Sequence, residues 1–154
     1  MEPVESPKQR ADRELGELLQ ELRVALPGVQ VLFAFLLAVP FSSGYKRVTH
    51  LEKVTFFVSL IATSLSSALL ITVPSLHRLR FRVENKGRIV LIGNKLAIAG
   101  FLFLAVAMVA AILMVTTFLF SKTAGIATGA SIAIVIAALW YGIAFGAWLE
   151  ERKS

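Results

Sequence analysis

The run VTFFVSLIATSLSSALLITVPSL, Val54–Leu76, decides the class of this protein: 23 residues pass without a single charge. A helix needs about 20 mostly apolar residues to cross a hydrocarbon core of roughly 30 Å, so this run is long enough to span a bilayer. Working outward, three more runs have the same character: Val24–Tyr45 before it, and Leu96–Ser121 and Thr123–Leu149 after it. None of the four contains Asp, Glu, Lys, Arg or His. The reading predicts an all-α integral membrane four-helix bundle with an N-terminal amphipathic helix. Residues 1–26 form a cytoplasmic segment, 27–149 the transmembrane domain and 150–154 a cytoplasmic tail. The first apolar run has no small-residue cleavage site and follows mixed acids and bases, so it is read as a retained span rather than a signal peptide.

Composition agrees with that class. The 154 residues are 56% hydrophobic and 17% charged, where a soluble domain carries about 25% charged. With four spans in 154 residues, a separate soluble catalytic module is not expected. Cysteine is absent, which excludes disulfides, thiol redox chemistry and thiolate metal sites.

The basic residues set the expected orientation. Twelve of the 16 Lys and Arg residues fall in the N-terminal segment, the loop after the second span and the C-terminus; four fall in the other two loops. Lys and Arg near span ends stay cytoplasmic, so both termini and the middle loop are expected on that side. The middle loop carries Arg78, Arg80, Arg82, Lys86 and Arg88, read as a topology signal that also contacts anionic headgroups or a partner. It offers neither a folded scaffold nor an array of stacking aromatics, so nucleic acid is not an expected partner.

Asp12 to Leu26 reads as the amphipathic helix, with Leu15, Leu18, Leu19, Leu22 and Leu26 at helical spacing. Its polar side is acidic, and Glu14, Glu17 or Glu21 is expected to pair with the basic middle loop. Pro27-Gly28 then marks a kink or break, because proline removes a helix hydrogen bond. Thr49-x-x-Glu52 matches a capping box at the start of the second span. Within that span Ser59, Thr63, Ser66 and Ser67 recur at helical spacing as one hydroxyl-lined face, which suits close helix packing or, alternatively, a polar path. Gln30 in the first span belongs to the same two readings.

Ser121-Lys122-Thr123 is so short that the last two spans must form an antiparallel hairpin. The fourth span holds two G-x-x-x-G pairs, Gly125/Gly129 and Gly142/Gly146, which favour close crossings. Trp148 suits an aromatic belt, whereas Trp140 and Tyr141 lie deeper and need partners for their polar groups.

Reactive constellations are not legible. His50 and His77 lie outside the spans on opposite expected sides and cannot jointly hold a haem or a metal. There is no intramembrane carboxylate pair, phosphate loop or convergent Ser-His-Asp set, so no cofactor and no catalytic residue is expected. Proton-coupled small exporters depend on an intramembrane carboxylate, and these spans hold none.

Glu17–Leu37, ELLQELRVALPGVQVLFAFLL, resembles the opening of a family of small four-span bacterial membrane proteins of unknown function. The resemblance continues through Pro40-Phe41 and His77-Arg78. It implies four-span topology and a bacterial plasma-membrane location, and it carries no activity. The expectation is a non-enzymatic structural or accessory subunit that acts by helix packing in a homo-oligomer or larger membrane complex. The alternative is a homo-oligomeric channel with a hydroxyl-lined pore.

Overall fold

The computed structural model describes residues 6–79 and 86–142. Four α-helices account for most of them: α1 (Pro7–Ala38), α2 (His50–Leu79), α3 (Lys86–Leu119) and α4 (Lys122–Ala137). Two 3-10 turns, Val39–Phe41 and Ser43–Arg47, link α1 to α2, and a π-helical turn, Ala138–Gly142, extends α4. No strand occurs among the described residues. Each of the four helices is long and apolar enough to cross a membrane.

α1 begins five residues before the expected amphipathic segment, and its start is locally encoded. Ser6 is the cap: Gln9 Oε1 accepts from the Ser6 amide at 2.9 Å, and Ser6 Oγ accepts from the Gln9 amide at 3.4 Å. Pro7 at the first helical position loses nothing there, since that amide has no helical acceptor. Of the kink or break read at Pro27-Gly28, the break does not occur: the helix runs on to Ala38 with Pro27 inside it. The reason is the inward stripe of Ala11, Leu15, Leu18, Leu22, Val29 and Leu36, all buried. This stripe keeps one register on both sides of the proline. Burial on both flanks holds the helix together across the one hydrogen bond that Pro27 cannot make.

The chain divides into two compact units, Met1–Ala38 with Ala62–Leu104, and Val39–Ile61 with Ala105–Ser154. In the first, α1 supplies Leu18, Leu22 and Val29, α2 supplies Leu70 and Val73, and α3 supplies Ala97 to a single core. Gly100 of α3 lies directly against Leu70: a Cβ there would sit 2.5 Å from Leu70 Cδ2 and 2.8 Å from its Cγ. Because lipid tails are as apolar as leucine, such contacts stabilise through dispersion and close fit rather than through escape from water.

In the second unit, α3 and α4 form the expected hairpin. Ser121 caps α4, its Oγ accepting from the Ala124 amide at 3.2 Å. Gly125 and Gly129 are the buried residues of α4, and both face α3 at Leu113, with Thr117 also against Gly125. The capping box at α2 is present: the Thr49 amide donates to Glu52 Oε2 at 2.6 Å, and the Glu52 amide to Thr49 Oγ1 at 3.4 Å. Such caps typically contribute about 1 kcal/mol. Tyr45 meets Phe56 edge-on, with ring centroids 5.7 Å apart.

Candidate functional site

The polar side chains of the apolar helices are the natural place to seek function, because each must be satisfied or spent without water. Ser59, Thr63 and Ser66 on α2 are all 0% exposed. In the second unit Ser59 Oγ donates to the Ala107 carbonyl of α3 at 2.8 Å, against the small-residue surface of Ala107 and Ala110. In the first unit Thr63 and Ser66 are enclosed with the same helix's Leu70 and Val73. Ser67 is half-buried, yet its hydroxyl oxygen is inaccessible, and neither it nor Ser66 Oγ has a hydrogen-bond partner among the described residues. Thr55, which extends the stripe, donates to carbonyls of its own helix at Leu51 and Glu52. α2 buries 39% of its spanning window, more than any other of the four helices.

The glycines fall into three groups. Gly125 and Gly129 are closed against α3. Gly142 ends the π turn, and Gly146 lies outside the described residues. Thr117 Oγ1, beside Gly125, is buried without a hydrogen-bond partner among the described residues. That hydroxyl is not singled out by any sequence motif; the only signal is its placement one short turn before the Ser121 hairpin.

Gln30 lies elsewhere. It is exposed on α1, and its side chain makes no hydrogen bond among the described residues. Trp140, inside the π turn, is 38% exposed.

The charged ends are partly described. Glu14 pairs with Arg10 at 2.8 Å and Glu17 with Arg13 at 3.1 Å, both within α1. These are exposed intrahelical pairs of the kind that contribute about 0.3–0.5 kcal/mol. Glu14, Glu17 and Glu21 also line a groove of about 280 Å³ whose other wall is Val90, Leu91 and Asn94 of α3. Of the basic cluster, Arg80 and Arg82 lie outside the described residues. Arg78 is in the last turn of α2, and Lys86 and Arg88 open α3. The expected pairing of the acids with the middle loop therefore falls largely outside the described residues. Glu52 is the buried acid among them, 4% exposed and engaged as a helix cap. No group of three or more His, Cys, Asp or Glu side chains that could hold a metal occurs among the described residues.

The described residues are thus all-α, with four helices long and apolar enough to cross a membrane, Ser59, Thr63 and Ser66 enclosed, and Gly100, Gly125 and Gly129 at helix contacts. The chain belongs to the Family of unknown function (DUF6328), whose model matches residues 4–144. No curated protein and no solved structure matches it.

Proposed function

We propose that this chain is a non-enzymatic structural or accessory subunit of a bacterial plasma-membrane assembly, acting as a four-helix bundle through helix packing. The observation that carries the reading is the complete burial of Ser59, Thr63 and Ser66 within one chain. Polar groups in apolar helices serve either contact or passage, and hydroxyls enclosed by their own chain serve contact. That burial supports packing over a pore formed between copies. Both termini and the middle loop face the cytoplasm in this reading, supported by the twelve-to-four division of Lys and Arg. Arg78, Arg80, Arg82, Lys86 and Arg88 there meet anionic headgroups or an acidic partner surface.

The absence of cysteine makes the test direct. Ser66→Cys is a near-isosteric single-cysteine variant, and Ser42→Cys places a reference thiol at an exposed loop position. In membrane fragments open to both faces, a charged, membrane-impermeant thiol reagent is expected to label position 42 and leave position 66 unmodified. Labelling of position 66 at the reference rate would mean water reaches the stripe and would favour the channel.

A further inference from the structure

We propose that the second unit binds an anionic phospholipid, with an acyl chain in an apolar groove between the α1–α2 link and α3 and the phosphate held at the rim by Arg47 and Lys122. Such a site is independent of whether the chain works within an assembly.

The groove belongs to the second unit alone. Val39, Tyr45 and Val48 of the link and Met114, Val115 and Phe118 of α3 line an open space of about 180 Å³. Its surface is almost wholly apolar. About 150 Å³ is enough for the six carbons of benzene, so a short length of acyl chain fits. Gly44 shapes one wall: a Cβ there would sit 3.1 Å from the Phe118 ring, so a larger residue would push that ring aside.

Level and charge name the occupant. The groove lies where the apolar spans end, the first at Phe41 and the third at Leu119, so hydrocarbon gives way to headgroups there. Leu119 and Phe120 are exposed, and exposed Lys122 follows them closely; Arg47 stands between Tyr45 and Val48 of the lining. Arg47, Lys53 and Lys122 are all exposed, and no side chain of the three makes a hydrogen bond or ion pair among the described residues. The one acid within 39–53 and 114–122 is Glu52, buried as the α2 cap. An apolar slot beside unpaired bases suits a ligand that is hydrocarbon at one end and anionic at the other. A parallel second copy would bring the same bases to the same level, where like charges repel. In sequence, whole helices separate the undescribed residues from the groove: α1 for 1–5, α2 and most of α3 for 80–85, and α4 for 143–154.

Photolabelling of the full-length chain in phosphatidylcholine vesicles tests this. The probe is phosphatidylglycerol carrying a diazirine on its acyl chain, compared with phosphatidylcholine carrying the same group. Peptide mapping is expected to find the anionic probe concentrated in residues 39–48 and 114–119, and unlabelled phosphatidylglycerol should compete it away. The zwitterionic probe should label those residues far less. Arg47→Gln and Lys122→Gln should each lower the ratio of anionic to zwitterionic labelling about 5-fold, the usual effect of one base near anionic headgroups. Neither side chain has a contact to lose within the described residues, and unchanged helicity checks that both variants fold. Val115→Trp, at an exposed position in the lining, should lower labelling by both probes because the indole fills the space. Label spread evenly along all four helices, or a ratio unmoved by R47Q and K122Q, would overturn the site. Competition by inorganic phosphate at the same concentration as the lipid would overturn the lipid as its ligand. Groove residues that neither probe reaches, while the rest of the chain is labelled, would mean that another protein covers them and would also overturn it.

Discussion

Gly125→Val is expected to detach α4 from α3 and to destabilise the hairpin by about 3 kcal/mol, the upper part of the usual range for overpacking a close contact. The reason is what the new side chain would meet. A Cβ at position 125 falls within 3.0 Å of the Leu113 carbonyl oxygen and the Thr117 amide nitrogen, and it overlaps the Thr117 hydroxyl. A side-chain neighbour can rotate away; two backbone atoms of a regular helix cannot. The only relief is for α4 to move outward, and α4 has little else to hold it, because Gly125 and Gly129 are its buried residues. Gly129→Ala is a milder perturbation, since its Cβ would meet only Leu113 side-chain atoms at 3.3 Å. Gly28→Ala is the control, with nothing within 4 Å of the added methyl. Reversible unfolding in lipid bicelles should rank the three with valine at 125 far the worst. Equal stability of G125V and the unaltered protein would mean the hairpin contact is not the one described.

Gly100→Ala produces the second large effect, by a different route. Here the obstacle is a side chain, but Leu70 is wholly buried in the first unit's core, so it has no free space to enter. The expected cost is about 1–3 kcal/mol. A double substitution separates this contact from general loss of helix fit. Leu70→Ala alone should cost about 2–5 kcal/mol through the space it leaves. In that background Gly100→Ala should cost nothing or recover part of the loss, because its methyl now occupies vacated volume. Such non-additivity is the signature of residues in contact. Additive losses would place Gly100 and Leu70 apart.

Much of this architecture was legible in the chain. Charge-free length alone locates four helices, since no other structure satisfies the backbone of such runs in lipid. Thr49 and Glu52 form the capping box their spacing implies, and Gly125 with Gly129 sit where a close crossing requires them. A helix break at Pro27-Gly28 is the part of the sequence reading that the structure does not contain. Proline removes one hydrogen bond, but the Leu22 and Val29 contacts on either side of it are decided by tertiary packing, which local rules cannot see. The Ser6-Pro7-x-Gln9 start of α1 is a cap encoded by its own spacing, ahead of the leucine pattern that marks the amphipathic stretch. α3 likewise starts at Lys86, ahead of the Leu96 where its charge-free run begins, because charged residues continue a helix beyond the apolar core. At the candidate site, the hydroxyl spacing predicted a shared face but not its use. Only the neighbouring helix's small residues decide that Ser59 meets Ala107 rather than water. Gln30 is the converse: composition marks it as unusual, and helix register against Val29 and Leu36 turns it outward.

The central claim is that this protein works by contact with other chains in the membrane. The most direct test is the mass of the complex formed by the unaltered, C-terminally tagged chain, extracted from its native membrane by a mild polymer without overexpression. Native mass spectrometry is expected to find it in fixed ratio with further copies of itself or with other membrane proteins, and that complex is expected to pass no ions in liposomes. A solitary chain carrying only lipid, or a closed ring of this chain that conducts, would contradict the account.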